Sequence, residues 1–419
     1  MKSAVIIFSL IFISNAIAYK VEKIESFDGW SEHLEFDSNG NAYVVKNGDE
    51  DNRQLWKISP TKEVLLKIDI SEDIYKIIIN SYNDVYVIFS NQGRLFILNE
   101  KTLSLKEIDS DTYLYFALDN DGNLFYNDVN GIYFLKRNST IPVLIKNLEY
   151  YHLLSNKWVD TDIEGNTYIG VNYDFSYDSS VAIITKESKE KNIPYADLIS
   201  LDDNRMITLV LLDQNQNLLI MTYDPDTKIG YIQKLVNNKL KTIFYDEDTQ
   251  DHKALIVEDR IYLIAYSIEK WSRVYFITSD EDVVQIPELN QLTIQFYFAA
   301  SLANDKDGNV YVDVGLALDP PINSTLAFIK QGEVSATGIE IEGTPGQYDG
   351  INSYSMMVDE DDVLWFLKYN SDLFYVKKGA YKSDKLGDGK YDFPKLNRIT
   401  NEVYLMSRDG LYYVSNDSV

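Results

Sequence analysis

The side chains able to do chemistry in this 419-residue sequence are mostly carboxylates. The chain has 65 Asp and Glu, three His and no Cys. The absence of Cys removes thiol catalysis, Cys-type zinc sites and redox roles. His33, His152 and His252 lie far apart, so a His-x-x-x-His zinc helix is excluded, and no local motif supports a Ser-His-Asp triad. We therefore assign no catalytic residue from the sequence.

Turns with the pattern Asp-x-Asp-Gly-Asn raise the question of calcium binding. An EF-hand loop needs oxygen ligands at positions 1, 3 and 5, Gly at position 6 and Glu at position 12. With Gly122 at position 6, Ala117 falls at position 1 and Asp128 at position 12. The pattern therefore favours hairpin turns with structural Asp and Asn, and we assign neither metal ligands nor a cofactor.

Aromatic residues are frequent, with 32 Tyr, 18 Phe and 5 Trp. Most lie in strand-like segments, where packing between sheets would use them. Those outside these segments are candidates for stacking on a flat aromatic ligand or a sugar. They are Trp30, Trp158, Tyr173, Phe175, Tyr177, Trp271 and Tyr348.

One turn organises the whole chain. It reads Asp-Ser-Asn-Gly-Asn at 37–41, Asp-Asn-Asp-Gly-Asn at 119–123 and Asp-Lys-Asp-Gly-Asn at 305–309, and it recurs with drift about nine times. Asp and Asn bond back to the backbone, and Gly accepts the positive φ of a tight hairpin. The strand that follows has an aromatic or apolar residue at its second position, and these residues are 39 to 54 positions apart.

Each repeat contains four short strand-like segments in about 40–45 residues, and no repeat shows a long amphipathic helical pattern. Sheets of this kind bury their faces by stacking around an axis, so we predict an all-β fold, a β-propeller of eight or nine four-stranded blades. The repeat at 202–245 is the weakest match and could be an insertion or a split blade. A β-helix and two stacked β-sandwiches are the competing folds.

The two ends of the chain predict how the ring closes. The last repeat, from Lys395 to Val414, has three strands. The segment from Val21 to Phe27 is a lone strand of alternating polarity, and we expect it to complete the last blade. Longer connections near 173–180 and 316–323 are expected to be loop insertions on one rim, where binding sites are common.

The amino terminus resembles a secretory signal peptide, with Lys2, an apolar run and Ala16-Ile17-Ala18. We expect cleavage after Ala18, a single domain over 19–419 and a secreted, extracellular protein without a membrane span. The sequons at Asn138 and Asn323 are candidate glycosylation sites, and a third at Asn416 is less favoured because it is close to the C-terminus.

The formal net charge is −26, which makes nucleic acids and anionic lipid surfaces poor partners. The acidic residues are spread along the chain, as expected for a solvated, self-repelling surface. We expect a monomer whose partner is a small molecule or an extracellular protein.

The Asp-x-x-Gly-Asn-x-Tyr pattern resembles repeats of the gluconolactonase/regucalcin-like group, which implies six blades and a central divalent metal held by Glu, Asn and Asp. The segments at 121–125 and 131–134 are also similar to insect ommochrome-binding-protein-like chains. That resemblance implies carriage of a small aromatic pigment without catalysis.

Two functions follow from these observations. The first is non-catalytic binding of a small aromatic molecule or a protein partner on a propeller rim. The alternative is a metal-dependent lactonase or esterase with its site, and one divalent cation such as calcium, in the central channel.

Overall fold

The structure is a computed structural model. It describes residues 18–47, 53–90, 93–110, 112–153, 159–173, 179–192, 194–201, 205–236, 239–247, 251–258, 260–266, 273–278, 282–287, 302–313, 326–341, 356–368, 372–387 and 391–417.

The first strand, β1 (Ala18–Asp28), belongs to the last blade, and the first three blades follow it. Blade one contains β2 (Trp30–Phe36), β3 (Ala42–Asn47), β4 (Arg53–Ile58) and β5 (Val64–Ile70). Blade two contains β6 (Ile74–Ile79), β7 (Val85–Phe89), β8 (Leu95–Asn99) and β9 (Ser104–Asp109). Blade three contains β10 (Thr112–Leu118), β11 (Leu124–Asp128), β12 (Gly131–Leu135) and β13 (Val143–Glu149).

The middle blades include the one helix of the described residues. Blade four contains β14 (Tyr151–Leu153), β15 (Val159–Thr161), β16 (Thr167–Tyr173), β17 (Ser179–Ile184), the short helix α1 (Lys186–Glu190) and β18 (Ala196–Ser200). Blade five contains β19 (Met206–Leu212), β20 (Leu218–Asp224), β21 (Ile229–Val236) and β22 (Lys239–Glu247). Blade six contains β23 (Asp251–Val257), β24 (Arg260–Tyr266), β25 (Arg273–Ile277) and β26 (Val283–Gln285).

The last blades have shorter strands. Blade seven contains β27 (Leu302–Asn304), β28 (Val310–Asp313), β29 (Leu326–Ile329) and β30 (Ala336–Ile339). Blade eight contains β31 (Met357–Val358), β32 (Leu364–Leu367), β33 (Leu373–Val376) and β34 (Asp384–Gly387). Blade nine contains β35 (Tyr391–Asn397), β36 (Glu402–Ser407) and β37 (Gly410–Asp417), followed by β1.

Within the described residues the strands form nine antiparallel sheets, which makes the fold a nine-bladed β-propeller. The weakest sequence repeat is a complete blade, blade five, and not an insertion. The split occurs elsewhere: in blade four both β14 and β15 pair with β16, so the innermost strand is made in two pieces. The number of blades is therefore the higher of the two predicted values.

The predicted closure of the ring is confirmed. β1 pairs antiparallel with β37, from Ala18 opposite Asp417 to Lys23 opposite Tyr412, and becomes the outermost strand of blade nine. Blade nine in turn packs against blade one, where β2 contacts β36. The ring is thus fastened by main-chain hydrogen bonds between the two ends of the chain.

The recurring turn is built by its first Asp. In blade one, Asp37 Oδ1 accepts hydrogen bonds from the backbone N–H groups of Asn39 and Asn41, each at 2.9 Å, and Oδ2 accepts from Asn41 Nδ2 at 2.8 Å. The corresponding turn in blade three needs Gly122 at φ 79°, since a Cβ there would lie 2.7 Å from Tyr82 of the neighbouring blade. The carboxylate oxygens are therefore engaged within the turn itself.

These turns also bond to one another around the ring. In several turns where the position that takes a positive φ is not Gly, its side chain accepts a hydrogen bond from the turn of the preceding blade. Asn83 Oδ1 accepts from Ser38 N at 2.8 Å, and Asn401 Oδ1 accepts from Glu360 N at 2.7 Å. Gln216 accepts from the backbone N–H of Ile163 in the same way. A local turn residue thus joins adjacent blades.

The aromatic residues of the repeated strands pack between the blades, as predicted. Among those exposed by 2% or less are Tyr43, Tyr86, Phe125, Tyr262, Tyr311, Trp365 and Tyr404. Burying each large side chain of this kind stabilises the fold by roughly 1.5–3 kcal/mol. Among the described residues, no helix is long and apolar enough to cross a membrane.

Candidate functional site

A cavity opens beside the axis of the ring, where the innermost strands of blades nine, one and two meet. Its volume is about 830 Å³. The lining side chains that bear on ligand binding are Trp30, His33 and Glu35 of β2, Tyr75 and Lys76 of β6, and Lys395 of β35. We refer to it as the axial cavity.

Backbone irregularities shape this cavity. The pairing of β2 with β3 shifts between Glu32 and Leu34, so His33 is an extra residue with φ 49°. The pairing of β6 with β7 shifts between Ile74 and Lys76, so Tyr75 is an extra residue in the same way. Such β-bulges redirect side chains and are common next to functional sites. Two neighbouring inner strands therefore place a bulged residue on one cavity.

Two aromatic side chains of the axial cavity remain accessible to a ligand. Trp30 is 46% exposed and Tyr75 is 39% exposed. Trp30 begins β2 and Tyr75 follows the first residue of β6, so both lie near the face of the ring at which the innermost strands begin. Exposed rings on the wall of a concave site offer stacking area to a flat ligand.

His33 supplies a neutral imidazole to the wall. Burial lowers the pKa of His33, while the negative charge of Glu32 and a hydrogen bond to the Ile74 backbone act in the opposite direction. Because the pKa lies below its ordinary value of 6.5, the ring is mainly uncharged at neutral pH. It can therefore donate one hydrogen bond and accept another.

The charged side chains of the wall include one ion pair and one further lysine. Lys395 Nζ lies 2.5 Å from Glu35 Oε1 and also donates to the Leu34 carbonyl at 2.8 Å. Burial lowers the pKa of Lys76, an effect that Glu35 opposes and Lys395 reinforces. Asp73, at the edge of the cavity, is paired with Arg53 at 2.5 Å.

Of the aromatic residues that the sequence suggests as ligand-binding candidates, only some lie at the axial cavity or within the described residues. Trp30 lines the axial cavity, whereas Tyr173 ends β16, is 44% exposed and packs edge-on against Tyr151 with centroids 5.2 Å apart. Tyr173 does not line the axial cavity. The remaining candidates lie outside the described residues, and they are Trp158, Phe175, Tyr177, Trp271 and Tyr348.

The sequence interpretation missed Tyr75, His33 and Lys76. The sequence pattern does not single out Tyr75 or Lys76, and His33 is considered there only in excluding a zinc helix. One signal could have found them, because the first residues of every innermost strand must gather at one opening of the ring. The extra residues of the two bulges leave no mark in the sequence pattern.

The possible glycosylation and metal sites can be placed in part. Asn138 is exposed in the turn between β12 and β13, while Asn323 lies outside the described residues. Within the described ranges, no three His, Asp or Glu side chains form a group that could hold a metal ion.

Comparisons with known proteins show the fold. No family model matches the sequence, and no curated protein matches it. Dipeptidyl peptidase 4 of Porphyromonas gingivalis is similar in structure, with a TM-score of 0.55 and 8% identity over 90% of this chain and 62% of that chain. This chain therefore spans less than two thirds of that peptidase.

Two further solved structures align over nearly their whole length. A streptogramin B lyase has a TM-score of 0.42 and 8% identity over 95% of this chain and 98% of that chain. The WD40 domain of SCAP from fission yeast has a TM-score of 0.46 and 12% identity over 95% and 98%. At such low identity a structural likeness concerns the fold alone. The nine antiparallel sheets of the described residues define the chain as a β-propeller.

Proposed function

We propose that this protein is a secreted, non-catalytic binding protein that holds a small aromatic molecule in the axial cavity. The observation that carries the proposal is the pair of accessible rings, Trp30 and Tyr75, on the wall of one cavity of about 830 Å³. Pockets for small ligands typically have volumes of roughly 300–1,000 Å³. The site thus has the size and the stacking surfaces that an aromatic ligand requires.

The polar groups of the cavity suit recognition of such a ligand. His33 offers a neutral donor and acceptor, and the ion pair between Lys395 and Glu35 is held on two adjacent innermost strands. Small-ligand sites combine aromatic surface with a few polar groups that fix the orientation of the ligand. Binding alone makes no further demand on the residues, since no bond has to be made or broken.

Native mass spectrometry with metal analysis tests this function on protein purified from a secreting cell without chelator. We expect a chain that starts at Tyr19 and carries an extra organic mass. A tightly bound divalent ion, together with turnover of a lactone or ester, would overturn the proposal in favour of a hydrolase. A bare chain that binds no aromatic compound would overturn it in favour of a protein partner.

Variants locate the binding site. Trp30→Ala and Tyr75→Ala should each weaken binding of the extracted ligand several-fold. Stacking of a ligand ring on an aromatic side chain stabilises the complex by about 1 kcal/mol. Tyr245→Ala is the matched control, since Tyr245 is 62% exposed on β22 and does not line the cavity. Equal affinity in all three variants would place the ligand elsewhere.

A further inference from the structure

We propose that the ligand of the axial cavity is an aromatic carboxylic acid and that the Lys76 ammonium binds its carboxylate; this inference rests on the proposed function. The chemistry of the wall around Lys76 carries it. The cavity and its aromatic side chains define the place, and the ammonium of Lys76 on its wall suggests the class of ligand.

Lys76 is half-buried on the cavity wall. In the part of the chain that the structure describes, its ammonium has neither a hydrogen-bond partner nor a salt-bridge partner. An ammonium that has lost part of its hydration without gaining a partner is destabilised. An anion from a ligand would provide the missing partner, and the resulting charge-assisted hydrogen bonds are stronger than those between neutral groups.

The carboxylate that interacts electrostatically with Lys76 is already engaged. Glu35 is bound to Lys395 at 2.5 Å, and Lys395 is held in place by the Leu34 carbonyl at 2.8 Å. Glu35 therefore pairs directly with Lys395 and favours the charged form of Lys76 only through space, without a hydrogen bond to it. The direction of the Lys76 pKa agrees with this geometry: burial lowers it, Glu35 opposes the shift, Lys395 adds to it, and the pKa remains below its ordinary value.

The position of Lys76 relates the anion to the aromatic surface. Lys76 directly follows the accessible Tyr75 along β6, and both side chains line the same cavity as Trp30. A ligand whose carboxylate is joined to its ring by a short linker can reach both features at once. Glu32 and Asp392 also line the cavity, and they would instead favour a cationic ligand. The experiment must therefore compare ligands that differ only in charge.

The test uses the full secreted chain and three compounds with one indole ring: indole-3-acetate, indole-3-acetamide and tryptamine. Isothermal titration should give at least tenfold tighter binding of the acetate than of the amide or the amine. Lys76→Met should remove most of this preference and leave binding of the amide within about twofold. Lys101→Met is the control, since Lys101 is exposed in the turn after β8, outside the cavity.

The outcomes separate this inference from the proposed function. Equal binding of acetate and amide, or tighter binding of tryptamine, would overturn the carboxylate assignment while leaving an aromatic site in place. Lack of binding by all three compounds would count against the aromatic site as well. The comparison of ligands on the unaltered protein is decisive even if Lys76→Met does not fold, and Lys76→Arg should keep the preference for the acetate.

Discussion

The ring of Tyr19 lies edge-on to the indole of Trp365, with the two centroids 4.8 Å apart. Tyr19 belongs to β1, the outermost strand of blade nine, whereas Trp365 lies on β32 of blade eight. Tyr19 also meets Tyr375 of blade eight at 5.0 Å. The strand β1 therefore completes blade nine by main-chain pairing and packs against blade eight through the aromatic ring of Tyr19.

Removal of this contact should weaken the whole ring. We expect Tyr19→Ala to lower the free energy of unfolding by about 1–3 kcal/mol, because it removes two edge-on aromatic contacts and part of the buried area. Deletion of residues 19–27 should lower the melting temperature far more, since blade nine then loses its outer strand. Thermal unfolding measures both. Lys20→Ala, at an exposed position of the same strand, is the control, and an unchanged melt in the deletion variant would contradict the closure.

The same tyrosine predicts a dependence on alkaline pH. Burial, followed by the charges of Asp359 and Asp361, raises the pKa of Tyr19 to about 12. The neutral hydroxyl is favoured in the folded state, so its contribution to stability is complete below about pH 10 and is lost as the pH rises towards 12. Tyr19→Phe keeps the ring without the ionisable group. The melting temperature of Tyr19→Phe, relative to that of the unaltered protein, should rise between pH 9 and pH 12. A difference in melting temperature that stays constant over this range would contradict the prediction.

The Asp that begins most of the recurring turns should be required for stability unless it is exchanged with the Asn four residues later. Asp213 accepts from Asn217 N at 2.8 Å and from Asn217 Nδ2 at 2.7 Å. Blade two has the two residue types exchanged, and Asn80 Nδ2 donates to Asp84 Oδ2 at 2.9 Å. We expect Asp213→Ala to cost about 1–3 kcal/mol. The double variant Asp213→Asn/Asn217→Asp should recover most of that loss in chemical denaturation; if it is as unstable as Asp213→Ala, the swap is not equivalent.

A buried ion pair joins blades three and four. Lys189 of α1 is 3% exposed, and its Nζ lies 2.7 Å from Asp119 Oδ2 and 2.9 Å from Thr167 Oγ1. Lys189→Met should cost about 3–5 kcal/mol, because it leaves the buried carboxylate without its cation. Adding Asp119→Asn should restore only part of the stability, since it removes the buried charge but also the carboxylate oxygen that accepts from Asn123 Nδ2. Denaturant titration of the single and double variants measures this, and additive losses would argue against the pair.

The sequon at Asn138 should carry a glycan when the protein passes through a eukaryotic secretory pathway. Asn138 is exposed at φ 61° in a turn, where an enzyme can reach it. Treatment with a peptide N-glycosidase should lower the mass of the secreted protein, and Asn138→Gln should remove the corresponding part of that change. Asn323→Gln separates the second sequon. Secreted protein of unmodified mass would disprove both sites.

Much of the fold could be predicted from sequence because its signals are local. The Asp and Gly positions of the turn specify a hairpin wherever they occur, as at Asp37 and Gly122. The alternating strand near Val21 lacks a partner in its own repeat, while the last repeat lacks a strand. The unpaired strand supplies the strand that the last repeat lacks, so the closure of the ring can be predicted from the sequence alone.

The number of blades was harder to predict, since it depends on which segments pair. Blade five is a poor match to the repeat but pairs fully from Met206 to Glu247. Blade four matches well, and yet its innermost strand is divided between β14 and β15. How closely a repeat matches the sequence pattern therefore does not show whether all four of its strands pair. Main-chain hydrogen bonds between strands can form with many different side chains.

The sequence by itself determined the turns, the four-strand repeat, the acidic cysteine-free composition and the strand that closes the ring. Only the tertiary structure decided that Trp30, Tyr75 and Lys76 share a cavity. The reason is that side chains alternate with a period of two along a strand, and one extra residue in a bulge changes which way they face. Such shifts at His33 and Tyr75 arise from pairing with β3 and β7, and pairing partners are separated along the chain.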